Sequence, residues 1–139
     1  LIEGSWVHYR EGWYYLFYSG DNCCGPDARY AVLAARARQP AGPYETLATA
    51  TGTEGTILTE NARWQAPGHN CLVTDAAGQD WLLYHAIDRQ QPTYDAINTE
   101  QGNSRRVMLL DKVTYDAAGW PQVGTPTTTP QPAPIVSTR

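Results

Sequence analysis

The sequence has one Phe, one Met, an odd three cysteines and no surplus of basic residues across its 139 positions. Each shortage removes a class of reading. Asp and Glu number 14 against 10 Lys and Arg, a net charge of −4, and no basic patch forms, so no nucleic-acid partner is expected. No apolar run approaches membrane-spanning length, so no membrane role is expected either. The chain has no phosphate-cradling glycine loop, no nucleophile elbow, no zinc helix motif and no Asn-x-Ser/Thr acceptor. Cys23, Cys24 and Cys71 give no tidy disulfide framework, and no His lies at zinc-ligand spacing from them. The adjacent pair can form a vicinal disulfide, one member can reach Cys71, or the thiols can stay free as small apolar residues.

Turn formers and rings, by contrast, are abundant: 10 Pro, 12 Gly, 5 Trp and 9 Tyr. That balance predicts short strands, many turns and rings able to face sugar. The length suits one domain. The chain starts inside a motif and without Met, so a preceding piece is expected.

An internal repeat organises the sequence. Gly12-Trp13-Tyr14-Tyr15-Leu16-Phe17-Tyr18-Ser19 aligns without gaps on Gly78-Gln79-Asp80-Trp81-Leu82-Leu83-Tyr84-His85. Gly12 and Gly78 belong in hairpin turns. A strand is expected before each copy, at Trp6 to Arg10 and Cys71 to Asp75, and another after it, near Tyr30 to Ala37 and Arg106 to Tyr115. Helix propensity alone suits Ala31 to Arg38, but the repeat pairs that segment with Val107 to Thr114. Gly42-Pro43-Tyr44 matches Gly119-Trp120-Pro121 ahead of a fourth, outer strand. Four antiparallel strands per unit, repeated, describe an all-β fold of two propeller blades, at about residues 1–60 and 61–123. Residues 124–139 are Thr/Pro-rich and read as an extended tail or linker. Two blades leave raw sheet edges, so missing blades or a second copy of the chain are the expected partners there.

Each unit also presents polar residues where its first strand begins. Leu1-Ile2-Glu3-Gly4-Ser5-Trp6 returns as Ala66-Pro67-Gly68-His69-Asn70. A propeller lines its central pocket in this way, which makes Glu3 the candidate catalytic acid. The alternative is a solvated carboxylate capping a turn.

These segments, with the Cys23-Cys24 pair and Tyr84-His85-Ala86, resemble glycoside hydrolase family 43, and in particular its arabinanases and its arabinofuranosidase/xylosidase relatives. The resemblance runs over about Leu1 to Val123. It implies a five-bladed propeller of which this chain holds the last two blades. It further implies hydrolysis of arabinofuranosyl or xylosyl linkages in plant cell-wall polysaccharide by an inverting mechanism, in a secreted or periplasmic enzyme. Of the family's catalytic set, a base Asp, a pKa-tuning Asp and an acid Glu, only the Glu has a counterpart here, at Glu3. None of Asp21, Asp27, Asp75, Asp80, Asp88, Asp95, Asp111 or Asp116 matches the aspartates, so the isolated chain is expected to be weakly active or inactive. Ser5 stands where the family usually has Pro, and Ala66 where it often has Gly.

Inverting hydrolysis needs one carboxylic acid to protonate the leaving oxygen and one carboxylate to activate water, about 6.5–9.5 Å apart. Burial or a nearby carboxylate keeps such an acid neutral, and Leu1, Ile2 and Trp6 offer Glu3 apolar neighbours. The resemblance makes His69 a candidate for holding a structural calcium ion near the propeller axis, commonly through water. The alternative is a hydrogen-bonded structural His, because calcium prefers oxygen ligands. Asn70 can bond sugar hydroxyls or satisfy its turn. The family often places a substrate-reaching arginine at Arg106, while neighbouring Arg105 would point to the other face. Trp6 and the loop Ser19 to Cys24 are expected at the pocket rim, with Trp64 as a further rim ring. The repeated Trp13, Tyr15, Tyr18, Trp81 and Tyr84 are expected between blades, and His8 and His85 in structural roles. A non-catalytic carbohydrate-binding or scaffold fragment is the competing reading.

Overall fold

The computed structural model describes residues 1–94 and 104–137; Asp95 and the last two tail residues lie outside them. β1 (Ile2–Arg10) and β2 (Trp13–Gly20) form a hairpin. Its two-residue loop, Glu11-Gly12, has positive φ at both positions (49° and 81°), the twist-matched turn for a tight hairpin. β3 (Ala31–Ala37) pairs antiparallel with β2, and both β4 (Glu45–Thr46) and β5 (Thr56–Leu58) pair with β3. The Ala-rich segment is therefore a strand. Its alternate residues Val32 and Ala34 enter the core, and that burial outweighs the helix preference of Ala.

The second unit is the sheet β6 (Trp64–Thr74), β7 (Asp80–Asp88) and β8 (Arg106–Lys112), in that order. The expected third strand, Arg106 to Tyr115, is interrupted at Val113, whose N–H donates to Asp80 O at 2.9 Å. Beyond the break, β9 (Thr114–Tyr115) pairs with β10 (Pro121–Gln122) as a separate two-stranded ribbon. The outer strand of the second blade is thus displaced from its sheet. In the first blade, the outer strand is interrupted by a short helix, α1 (Leu47–Thr51). Thr46 Oγ1 caps α1 by accepting the Thr49 N–H, and Gly52 closes it in the left-handed region.

The two blades meet face to face. Tyr15, Phe17, Val32 and Ala34 of the first pack with Leu72, Leu82, Tyr84 and Ala86 of the second, and Trp120 and Val113 join them. The repeated rings behave as core here, with one exception: Tyr18 is only half-buried and alternates away from Phe17 and Ser19. Arg36 lies between Trp13 and Trp120, 4.3 and 4.0 Å from their ring centres. Asp80, 1% exposed, pins the blades at the other end of the strands. It accepts from Arg10 Nη1 (3.3 Å), Tyr115 OH (2.9 Å) and Thr74 Oγ1, with His8 Nε2 at 3.3 Å.

The inner strands start earlier than the sequence suggests. β1 runs back through Glu3, and β6 through His69 and Asn70, so these residues sit within strands rather than ahead of them. Both strands are bulged there. Register shifts fall between Glu3 and Trp6, between Gln65 and Gly68, and between Gly68 and Cys71. Bulges re-aim side chains where regular pleating cannot.

Residues 124–137 form no sheet strand and are bonded to both blades, first to the end of β5 and then along the second blade. Thr59 N donates to Gly124 O, Asn61 Nδ2 to Pro126 O, Thr127 N to Asp111 Oδ2 and Ile135 N to Asp75 Oδ2. Cys23 and Cys24 form a vicinal disulfide, and Cys71 is free. Among the described residues, no helix is long and apolar enough to cross a membrane.

Candidate active site

The bulge in β1 sets Glu3 directly across from Ser19, at the end of β2. The same register in the second blade sets Gly68 across from His85. Ser19 and His85 are equivalent in the repeat, so Glu3 and Gly68 hold equivalent places. The second blade has glycine there because the ring of Tyr30 occupies the space a side chain would need. A Cβ on Gly68 would fall among the ring carbons of Tyr30.

Tyr30 is the pivot of the site. Its buried ring reaches from the foot of β3 onto β6, and its hydroxyl donates to Glu3 Oε1 at 2.8 Å. Burial, and then the Glu3 carboxylate, push the phenol up to about 12, so it remains a donor across the working pH range. Tyr30 stacks on His85 with 6.0 Å between ring centres, and His85 stacks on His69 at 6.3 Å. Burial, then the charge of Arg106 and then His69, hold His85 down to about 4, against the opposing pull of Glu3. His85 is therefore neutral near pH 7. Its buried Nδ1, like Nδ2 of Asn70, has no hydrogen-bond partner among the described residues.

Ser19 ties β2 of the first blade to β6 of the second. Its fully buried Oγ accepts the His69 N–H at 2.8 Å and donates to Asn70 Oδ1 at 3.1 Å. His69 itself is exposed, with φ at +53°. Arg106, at the start of β8, is exposed and donates through Nη2 to Cys24 Sγ at 2.9 Å and to Cys23 O at 3.4 Å. Arg105 is half-buried, and its backbone N–H donates to Pro92 O at 2.7 Å.

Of the residues singled out in the sequence, Glu3, His69, Asn70 and Arg106 thus converge around Tyr30 and His85. Trp6 is set off from them. It lies past the bulge, across from Phe17, with its ring 41% exposed. Trp64 is not a rim ring: it packs on the inter-blade core, and its indole N–H donates to Thr127 O in the tail at 3.1 Å. Sequence reasoning passed over Tyr30, set Ser19 in a rim loop although it is fully buried in β2, and gave His85 a purely structural role. The one available signal was that Ser19 and His85 hold the same repeat position opposite the pocket residues.

The donors present do not make a calcium site by themselves. Among the described residues, no group of three or more His, Cys, Asp or Glu could hold a metal ion. His69 offers a single nitrogen, and Asn70 Oδ1 is taken by Ser19.

Known proteins are similar to this chain in sequence and in fold. The sequence model for glycosyl hydrolases family 43 matches residues 1–121. The extracellular exo-α-(1→5)-L-arabinofuranosidase ArbA of Cellvibrio japonicus is 32% identical over 126 residues, which is 88% of this chain and 33% of the relative. The extracellular endo-α-(1→5)-L-arabinanase 1 of Bacillus subtilis is 30% identical over 124 residues, 86% of this chain and 33% of the relative. Among solved structures, the α-L-arabinanase of Cellvibrio cellulosa superposes with a TM-score of 0.71 at 28% identity, covering 88% of this chain and 36% of that one. That arabinanase has also been solved with arabinohexaose, a structure that matches with a TM-score of 0.70 at 28% identity over the same shares of the two chains. The chain therefore spans about a third of the length of these relatives. The matched region contains both blades and the residues gathered around Tyr30, and on that extent of agreement the chain belongs to glycosyl hydrolases family 43.

Proposed function

We propose that this chain carries the general acid and part of the sugar-binding surface of a secreted glycoside hydrolase acting on arabinan, with Glu3 as the acid. The observation that carries the reading is the Tyr30 hydrogen bond to Glu3 Oε1, made where the Tyr30 ring also meets Gly68 of the second blade. A carboxyl group fixed on one oxygen by a neutral donor has a defined orientation. The proton it delivers then belongs on Oε2, the oxygen Tyr30 does not engage. Arg106 and Asn70 are the proposed contacts to sugar hydroxyls, and Trp6 is a proposed stacking face at the margin. Arabinan is the proposed substrate because the relatives described above are an arabinofuranosidase and arabinanases.

The mechanism we propose is inverting. Glu3 protonates the departing glycosidic oxygen while a carboxylate from outside this chain activates water on the opposite face. Positioned acid catalysis contributes about 10²–10⁴-fold to such reactions. In the full-length natural protein, Glu3→Gln is therefore expected to lower kcat on arabino-oligosaccharides by about 10³-fold with little change in KM. Proton NMR of the first-formed sugar should show the anomer opposite to that of the substrate. Unchanged kcat in Glu3→Gln would remove Glu3 from the mechanism.

A further inference from the structure

We propose that the Cys23–Cys24 disulfide positions Arg106, and so presets the sugar contact beside Glu3. The inference rests on the Glu3 pocket being the sugar site. The two cysteines divide the work. Cys23 packs against the small buried cluster of Ala28, Tyr30, Ala66 and Ile87, which ties it to the ring that holds Glu3. Cys24 is exposed, and its sulfur lies 2.9 Å from Arg106 Nη2. The Cys23 carbonyl takes the same nitrogen at 3.4 Å. Arg106 comes from the other blade, so this contact joins the 21–30 loop to β8 across the pocket.

A stapling role alone explains the disulfide poorly. Cross-links stabilise by closing loops in the unfolded chain, and the effect grows with loop length. A link between neighbours closes almost nothing. What it does supply is a compact, rigid corner that the flexible Arg106 side chain can rest against. A guanidinium held in place before the sugar arrives loses less conformational freedom on binding. Asn22 braces the same corner: its carbonyl accepts the Arg29 N–H at 2.8 Å, and its side chain donates to Asp27 O at 3.1 Å.

Reduction removes the corner. Two thiols of dithiothreitol close to a cyclic disulfide, and their two electrons and two protons convert the Cys23–Cys24 bond into two separate thiols. Both sulfurs then carry a hydrogen, and the rigid ring opens.

The test is a mutant cycle in the full-length natural protein, reading kcat and KM on arabino-oligosaccharides for wild type, Cys23→Ser with Cys24→Ser, Arg106→Ala, and all three changes together. Arg106→Ala is expected to raise KM about tenfold. The Ser pair should raise KM several-fold, with kcat nearly unchanged. The triple variant should be no worse than Arg106→Ala alone. Dithiothreitol should reproduce the rise in the wild type and leave the Ser pair unaffected, which keeps the test open if the Ser pair folds poorly. Multiplying effects in the triple variant, or an unmoved KM after reduction, would overturn the proposal. A Glu3→Gln enzyme with full turnover would instead overturn the acid assignment, so the two failures are told apart.

Discussion

Gly68 and Tyr30 set the pocket at the scale of single residues. Tyr30 can reach Glu3 only because position 68 has no side chain, so the two positions are coupled. Gly68→Ala drives a methyl into a buried ring and is expected to cost about 1–3 kcal/mol, read from urea unfolding. Removing the ring as well, with Tyr30→Ala, should make the Gly68→Ala change nearly neutral in that background. A Gly68→Ala cost that is the same with and without the ring would contradict the coupling. Tyr30→Phe keeps the ring and deletes only the hydroxyl. Its expected signature is a drop in kcat of about tenfold, with stability changed by about 1 kcal/mol or less.

At the scale of elements, the bulged inner strands and the tail depart most from what the sequence suggests. The aromatic repeat was sufficient to find β2 and β7 and to place Tyr15, Trp81 and Tyr84 in buried positions, because strand alternation is written directly into residue type. The bulges in β1 and β6 were not legible. The β6 bulge falls where the first blade's Tyr30 presses on Gly68 of the second blade's strand, and no local pattern encodes that contact. The cap signals of α1, Thr46 and Gly52, were present in the sequence but were overlooked beneath the expected outer strand. The tail contains too much proline for a ladder, yet Pro126, Thr127 and Ile135 each bond a side chain of the second blade through a backbone group. Asp75 is one of them. The indole N–H of Trp81 chiefly, and the N–H groups of Ile135, Gln79 and Ala77, hold its carboxyl down to about 2. A carboxyl lowered on folding contributes stability that is complete above the usual carboxylate range and is lost as pH falls toward 2. Hydrogen-exchange protection at Ala76 and Ile135, taken relative to the intrinsic rate at each pH, should therefore be full at pH 5 and fall between about pH 4 and pH 2. Asp75→Asn should abolish that pH dependence of protection. Protection that is flat across this window in the wild type would contradict the anchor.

At the scale of the whole molecule, two sheets are joined by faces, and Asp80 fastens the end remote from Glu3. It gathers groups from β1, β6 and β9 around one buried carboxylate. Asp80→Ala leaves Arg10 and His8 facing a buried gap and is expected to destabilise the fold by about 3 kcal/mol, visible as a lower urea midpoint. A change within about 0.5 kcal/mol would show that the pin is dispensable. The opposite face of the first sheet leaves Val7 and Tyr9 exposed, with Tyr9 against Tyr14 at 4.8 Å. It is this sheet face, more than a strand edge, that a neighbouring blade would cover.

The central claim concerns a proton, and its most direct test varies how much that proton is needed. In the full-length natural protein, Glu3→Gln should be compared on two substrates: an arabino-oligosaccharide, whose leaving sugar must be protonated, and a dinitrophenyl arabinofuranoside, whose leaving group departs as a stable anion. The account predicts a kcat loss of about 10³-fold on the first and less than about tenfold on the second. Equal losses on both would contradict it, because a residue that fails both substrates alike is not supplying the proton.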